Sequence, residues 1–361
     1  MSGIVLSRTR TEIPAGRLSP RRDIANNLRI EVERMATMLD VARIAGVSSK
    51  TVSRVFNDDT HVLPETRAKV AAAMQQLNYT PNTLARTFRK GRSSTVGVAV
   101  PDIVDPFFAT VIRAVEEACA ATGIQTLVTG IGDASRERSV LESLLRTQPM
   151  GLVLAPVSSD QAWLARWAAQ TPIVFVDRAP TGLNADAFVE DDSDGAYRAT
   201  KHLIEHGNQR IAFVADSAHP PSTRRRLEGY SRALGESGIR IDPDLISVDL
   251  DGREKAADAL SRLHQLFRPP TAVFSSNARV TMDLIPALRS SGLSLVGFGD
   301  FPMADQLAPP VTVIGQHPAR LGYLAATRAL TRFDDPTAVL DDPQVEPVHL
   351  VVRESCGCPP A

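Results

Sequence analysis

Residues 46–55 read GVSSKTVSRV. Four hydroxyls (Ser48, Ser49, Thr51, Ser53) and two cations (Lys50, Arg54) crowd this one stretch. Short hydroxyls donate to phosphate oxygens at close range, and Lys and Arg reach guanine O6 and N7, so the chemistry these residues suit is duplex recognition rather than bond-making. Other reactive groups form weaker patterns. Asp191, Asp192 and Asp194 could chelate a cation, but acids opening an apolar-periodic stretch are also what a helix N-terminus carries. His202 and His206 stand at i, i+4 without the Glu of a zinc-hydrolase motif and read as solvated histidines. Cys356 and Cys358 flank one glycine with no third or fourth ligand nearby in sequence. With Cys119 they make no disulfide framework and read as free thiols of a reducing cytoplasm. No Gly-rich phosphate loop occurs. The expectation is a protein that is not an enzyme and uses no cofactor and no metal.

The elements that must present the hydroxyl-rich stretch are short helices. Asp40, Val41, Ile44 and Ala45 form one helical pattern that ends at Gly46. Ser48 is a fitting N-cap for a second, running toward Phe56, with Val47 and Val52 turned inward. A third begins near Pro64-Glu65 and carries Val70, Ala71, Met74 and Leu77 at helical spacing. Two helices meeting at a tight turn are a helix-turn-helix, whose second helix enters the major groove. Charge agrees with this placement. Net charge is −1 over 361 residues, yet 16 Lys/Arg face 8 Asp/Glu through Ser94, and 24 face 33 beyond it. A basic head on an acidic body points to a polyanionic partner for the head.

From Thr95 the pattern changes to apolar runs alternating with helical stretches: VGVAV (96–100), IQTLV (124–128), GLVLA (151–155), PIVFV (172–176), RIAFVA (210–215), LISVDL (245–250), TAVFS (271–275) and LSLVGF (293–298). That alternation predicts parallel α/β layers, in two similar lobes dividing near Asp191-Asp192. PVHLVV, after Pro343, predicts one last strand. No apolar run nears the roughly 20 residues of a membrane span, and no secretory signal opens the chain.

From Thr37 to Cys356 the chain resembles the LacI/GalR family of transcriptional regulators. The resemblance is carried by LDVARIAGVSSKTVSRVFN, VLPETRAKVAAAMQQLNYTPNTLAR, VGVAVPDIVDPFF, PIVFVDR and RRRLEGYSRAL, in that order. It implies an N-terminal all-α helix-turn-helix DNA-binding head and an α/β two-lobed periplasmic-binding-protein-like domain. It also implies a cytoplasmic homodimeric repressor on a pseudo-palindromic operator, with a small effector in the cleft. The matching positions place Ser49, Lys50 and Arg54 at bases, and Ser48, Thr51, Ser53, Asn57 and His61 near phosphates. Asn82 opens the segment resembling the family's hinge helix, and Phe88 stands where relatives carry the leucine that wedges into the minor groove. The expected divisions are a basic extension (1–36), a head (37–80), a hinge (81–94), an effector and dimerisation domain (95–356) and a tail (357–361). The extension reads as a disordered arm or as sequence upstream of a start at Met35. No C-terminal heptad follows, which favours a dimer over a zipper-joined tetramer.

In the cleft the resemblance retains Asp105, Phe107, Phe108, Asp177, Ser222, Arg226, Asn277 and Gln316 as effector-binding positions. It departs elsewhere. Asn277-Ala278 replaces an Asn-Asp pair, Phe298-Gly299-Asp300 replaces Phe-Asp-Asp, and Leu250 replaces an aromatic platform. Loss of a carboxylate with Arg226 retained predicts a less negative pocket, suited to a phosphorylated or carboxylated metabolite. A neutral sugar held by other residues and a degenerate cleft without effector stay open, as does a solute-binding protein.

Overall fold

The computed structural model describes residues 36–56, 59–79, 94–289, 291–338 and 342–358. Two compact units divide it, residues 1–85 and 86–361.

The head is built on α1 (Met38–Ala45), α2 (Ser49–Phe56) and α3 (Pro64–Gln76). Thr37 and Asp40 form a capping box that satisfies the first amides of α1, and Gly46, at φ 65°, ends that helix in the left-handed region. Pro64 stands in the first turn of α3, where its missing N–H removes no hydrogen bond. Val41, Ala45, Val52, Val55, Val70 and Ala73 are buried together, with Val47, Met74 and Leu77 packed around them. Two expected core positions differ. Ile44 is exposed, and Ala71 is exposed while Ala73 takes the buried place. With Val70 as anchor, the i+3 position faces α1, while the i+1 position points away.

The body begins with β1 (Thr95–Val100), α4 (Pro106–Ala120), β2 (Gln125–Gly130), α5 (Ala134–Leu145), β3 (Gly151–Leu154), α6 (Ala165–Ala168), β4 (Ile173–Val176) and β5 (Ala187–Glu190). The chain then crosses to a second lobe: α7 (Asp192–Glu205), β6 (Ile211–Val214), α8 (Pro221–Glu236), β7 (Ile246–Ser247), α9 (Arg253–His264), β8 (Ala272–Ser275), α10 (Ala278–Leu288), β9 (Ser294–Phe298) and β10 (Thr312–Gly315). It returns as α11 (Pro318–Asp334), which packs Leu321, Ala325, Ala326 and Ala329 into the first lobe's core. Short β11 (Gln344–Glu346) and β12 (His349–Val351) finish the two sheets. Their orders are β11-β5-β4-β3-β1-β2 and β12-β10-β9-β8-β6-β7. All pairings are parallel except β10 with β12.

The two α/β lobes and the crossing near Asp191 agree with the sequence pattern. Three details differ. β5 and β10 are not among the strands expected from the apolar runs, and both lead directly into a crossing. LISVDL contributes only Ile246–Ser247 to an edge of its sheet. PVHLVV does not act alone: Pro347 separates β11 from β12, and the two pair in different sheets. Parallel sheets buried on both faces explain why most strands read as unbroken Val, Ile, Leu and Phe.

Candidate functional site

On the head, Ser48, Ser49, Lys50 and Arg54 are exposed, and Thr51 and Ser53 are half-buried on the same helix. Ser48 Oγ accepts from Thr51 N–H at 3.1 Å and meets Thr51 Oγ1 at 2.9 Å. Ser48 therefore caps α2 and prepares its first turn, while the remaining early amides stay open to an anion. Val52 and Val55, on the opposite face, bind α2 to the head's core. The loop after α2 is fixed by Asp59. Its carboxylate accepts from His61 N–H at 3.0 Å, pairs with His61 Nδ1 at 2.9 Å and lies 3.6 Å from Arg54 Nε. These His61 hydrogen bonds hold the Asp59 carboxyl below its ordinary value. Arg67 Nη2 ties the same loop down through the Asp59 carbonyl at 3.0 Å. Arg54 and His61 are thus both held by the one Asp59 carboxylate. Asn57, Asn82 and Phe88 lie outside the described residues.

In the body, Asp105, Phe107, Phe108, Asp177, Ser222, Arg226, Asn277 and Gln316 all line one cavity between the lobes, of about 90 Å³. Phe107 and Gln316 also line a second inter-lobe cavity of about 510 Å³. Several of these side chains are already engaged. Asp105 caps α4, accepting from Phe107 N–H at 2.9 Å, and burial raises its carboxyl above the ordinary range. Asn277 caps α10, accepting from Val280 N–H at 2.9 Å, and donates through Nδ2 to Asp216 at 3.0 Å. Asp177 ends β4 in the left-handed region at φ 64°, a backbone state that Asp tolerates better than bulky residues and that strained sites use. Ser222 is buried in the first turn of α8. Phe108 joins the first lobe's core, and Phe107 meets it edge-on with ring centroids 5.2 Å apart.

Arg226, 5% exposed, donates through Nε to Asp192 at 2.7 Å and through Nη1 to the Ser276 carbonyl at 2.5 Å. Its guanidinium lies 3.8 Å over the Phe298 ring. Asp192 is 2% exposed, and its Oδ2 has no hydrogen-bond partner among the described residues. Burial raises the Asp192 carboxyl, against the pull of Arg226. Asp191, by contrast, is the N-cap of α7, accepting from Asp194 N–H at 2.9 Å, so the acids here cap a helix and pair with arginine. Behind them Glu190, 3% exposed, accepts from His317 N–H at 2.7 Å and from Gln316 Nε2. Burial pushes its carboxyl up to about 7. Glu190 therefore clasps two of the strands by which the chain crosses between lobes.

Arg279 was not singled out by sequence. It stands in the first turn of α10 and reaches Asp216 at 3.1 Å, Asp251 at 3.4 Å and, across the cleft, Asp102 of the first lobe at 3.5 Å. Arg178, also on the cavity wall, pairs with Asp177 at 3.0 Å. The cavity wall carries charges of both signs. Asp102, Asp105, Asp177 and Asp216 line the cavity against Arg178, Arg226 and Arg279, with Glu190 and Asp192 buried behind. Gly299 itself sits at φ 89°, and a Cβ built there would stand 2.5 Å from Gln316 Oε1. Leu250 is buried in the second lobe's core rather than on the cavity wall.

The solvated-histidine reading holds for His206, which is exposed, and is corrected for His202. His202 is 8% exposed, and Cys358 Sγ lies 3.5 Å from its Nε2 and 3.1 Å from that of His206. Sequence spacing does not bring these two histidines near the thiol, since they lie 156 and 152 residues from Cys358.

Residues 37–82 match the model described as "Bacterial regulatory proteins, lacI family", and residues 200–356 match the "Periplasmic binding protein-like domain". The chain is 35% identical over 329 residues to the ribose operon repressor of Haemophilus influenzae, covering 89% of this chain and 98% of that protein. It is 33% identical over 331 residues to the transcriptional repressor PurR of Photobacterium profundum, with the same coverages. The solved Lac repressor dimer bound to operator and the anti-inducer ONPF aligns with a TM-score of 0.75 at 27% identity, over 89% of this chain and 99% of that one. Among the described residues no helix is long and apolar enough to cross a membrane. The hydroxyl-rich helix, the two-lobed body and these likenesses lead to one assignment: the chain belongs to the LacI family of bacterial regulatory proteins.

Proposed function

We propose that this protein is a transcriptional repressor that binds a pseudo-palindromic operator as a homodimer and is released or engaged by a small polyhydroxylated effector held between its lobes. It acts in the cytoplasm and carries no catalytic activity of its own. In the head, Ser49, Lys50 and Arg54 read base edges, while Ser48, Thr51, Ser53, Asn57 and His61 fix register on phosphates. The segment from Asn82 carries Phe88 into the central minor-groove step, which is easiest to kink where it is pyrimidine–purine.

One observation carries the effector reading: the cavity wall alternates carboxylates with guanidiniums, including Asp105, Asp177 and Asp216 beside Arg226 and Arg279. Carboxylates accept paired hydroxyls and guanidiniums donate to ring or hydroxyl oxygens, so the wall suits a neutral polyol, whereas an added phosphate would face at least as many acids as bases. A pentose is the first ligand to test, since the Haemophilus relative is a ribose operon repressor. Small-molecule sites usually enclose ~300–1,000 Å³. The present 90 Å³ is therefore a cleft drawn in on its own side chains. An effector must part Arg279 from Asp102 and so change the angle between the lobes, which is the differential interaction that linkage requires.

Calorimetry with pentoses, hexoses and their phosphates, paired with operator mobility shifts, tests this. The reading predicts that a free sugar binds and shifts operator affinity and that its phosphate binds more weakly. Tighter binding of the phosphate overturns the neutral-polyol assignment. Binding of no metabolite with an intact operator complex overturns effector control altogether.

A further inference from the structure

The C-terminal end of α7 and the tail beyond β12 bring together a set of ligands that the DNA and effector sites do not use. His202 and His206 face one another one helical turn apart, with ring centroids 4.3 Å apart. Cys358 Sγ stands 3.1 Å from His206 Nε2 and 3.5 Å from His202 Nε2, and one ligand atom from each of the three residues lies within 4.8 Å of the others. Two zinc–ligand bonds of ~2.3 Å to sulfur and ~2.0–2.1 Å to nitrogen, at the tetrahedral angle, separate S from N by about 3.5 Å. One observed separation, 3.5 Å, matches that value and the other, 3.1 Å, is shorter.

The orientation is also set. His206 Nδ1 lies 2.8 Å from the His202 carbonyl, which can only accept, so Nδ1 carries the proton and Nε2 presents its lone pair toward Cys358. Cys356 is wholly buried behind Cys358, its Sγ 2.6 Å from Cys358 Sγ and 3.3 Å from Thr312 Oγ1. Ser355 accepts from Thr312 N–H at 2.8 Å and donates to the Leu295 carbonyl at 2.7 Å, which fixes the tail against the sheet. His206 is exposed and Cys358 half-exposed, so an ion has an entry path.

We infer that His202, His206 and Cys358 form a binding site for a borderline-soft divalent metal of the zinc class, with Cys356 as the adjoining thiol. Binding replaces the Cys358 S–H bond with a sulfur–metal bond and releases the proton to solvent. Helix geometry of ~1.5 Å per residue puts His202 about 15 Å from Asp192 at the cleft end of α7, so this site is separate from the effector cavity. Its role is to staple the tail to the second lobe.

The test uses the full chain, reduced and stripped of metal, titrated with Zn²⁺ against a chromophoric chelator and with Co²⁺ by absorption. The expected result is one metal per chain, tetrahedral Co²⁺ bands with thiolate charge transfer, and a rise in the thermal midpoint. His206→Gln and Cys358→Ser each weaken Zn²⁺ binding by at least ~10-fold, the low end of what loss of even an outer-shell partner costs a metal site, while Cys119→Ala leaves it unchanged. His206 and Cys358 sit at the accessible rim, and circular dichroism verifies that both variants fold. Absence of stoichiometric Zn²⁺ binding, or binding undiminished in both folded variants, overturns the site.

Discussion

Single side chains divide here into those that hold the molecule and those that await a partner. Lys50 is exposed on α2 with the core-facing Val52 and Val55 behind it. Lys50→Ala is expected to cost about 1–3 kcal/mol of operator binding and to relax preference at one base pair, as read on an operator panel. Equal weakening on every sequence would make it a phosphate contact. Arg226 holds the structure as well as lining the cavity, because Asp192 beneath it is buried. Removing one partner of such a pair leaves a buried charge, so Arg226→Ala is expected to lower unfolding free energy by about 3–5 kcal/mol in a urea titration without effector. Much of this was legible from the chain. Ser48 as a cap and Val52 as an inward residue follow from spacing alone, and the cleft positions follow from the family resemblance. Arg279 was not legible, because its partner Asp216 lies 63 residues away and an arginine in a helix's first turn reads as surface. The histidines and Cys358 were hidden in the same way, at separations of 152 and 156 residues.

Among the elements, the crossings between lobes carry the mechanics. Glu190, at the end of β5, grips Gln316 and His317 just beyond β10. Its folded value of about 7, raised by burial from 4.5, means that the folded state takes up a proton more readily than the unfolded chain. This contribution to stability is complete below about pH 4.5, falls as pH rises through 7, and amounts to about 3 kcal/mol across that span. Urea midpoints should therefore decline between pH 5.5 and 8, and Glu190→Gln should flatten that decline. Helices α7 and α8 pack at Gly229, where a Cβ would meet the Ser193 carbonyl oxygen at 2.1 Å. Gly229→Ala must push the helices apart, an overpacking cost of about 1–3 kcal/mol or more, visible as a lowered thermal midpoint. Most parallel strands were legible as apolar runs, since burial on both faces removes the polar alternation. β5 and β10 were not, although other strands of the same four-residue length were, and their place is set by the return of α11 to the first lobe.

At the scale of the whole molecule, the charge division between head and body accounts for selectivity of partner. A head that gathers phosphates with Arg, Lys and hydroxyls must lose affinity as salt rises. An interface of 6–10 phosphate contacts loses ~10³–10⁵-fold between 50 and 200 mM salt. Lys50→Ala should leave that slope nearly unchanged if Lys50 reads a base, and reduce it by about 1 if it meets a phosphate. Length and the order of motifs made the head, the two lobes and the family visible in the sequence. Effector chemistry was not, because Asp102 and Asp216, which line the cavity and pair with Arg279, come from the ends of strands in different lobes. The central claim is that a dimer of this chain reads a duplex through α2. Its most direct test is selection of bound genomic fragments by the full-length protein, followed by anisotropy of the winning duplex against excess random DNA over a salt series. The expected result is one two-fold-related sequence held as a 2:1 protein–duplex complex, with affinity falling steeply as salt rises. A monomer that prefers no duplex over random competitor at any salt would contradict it.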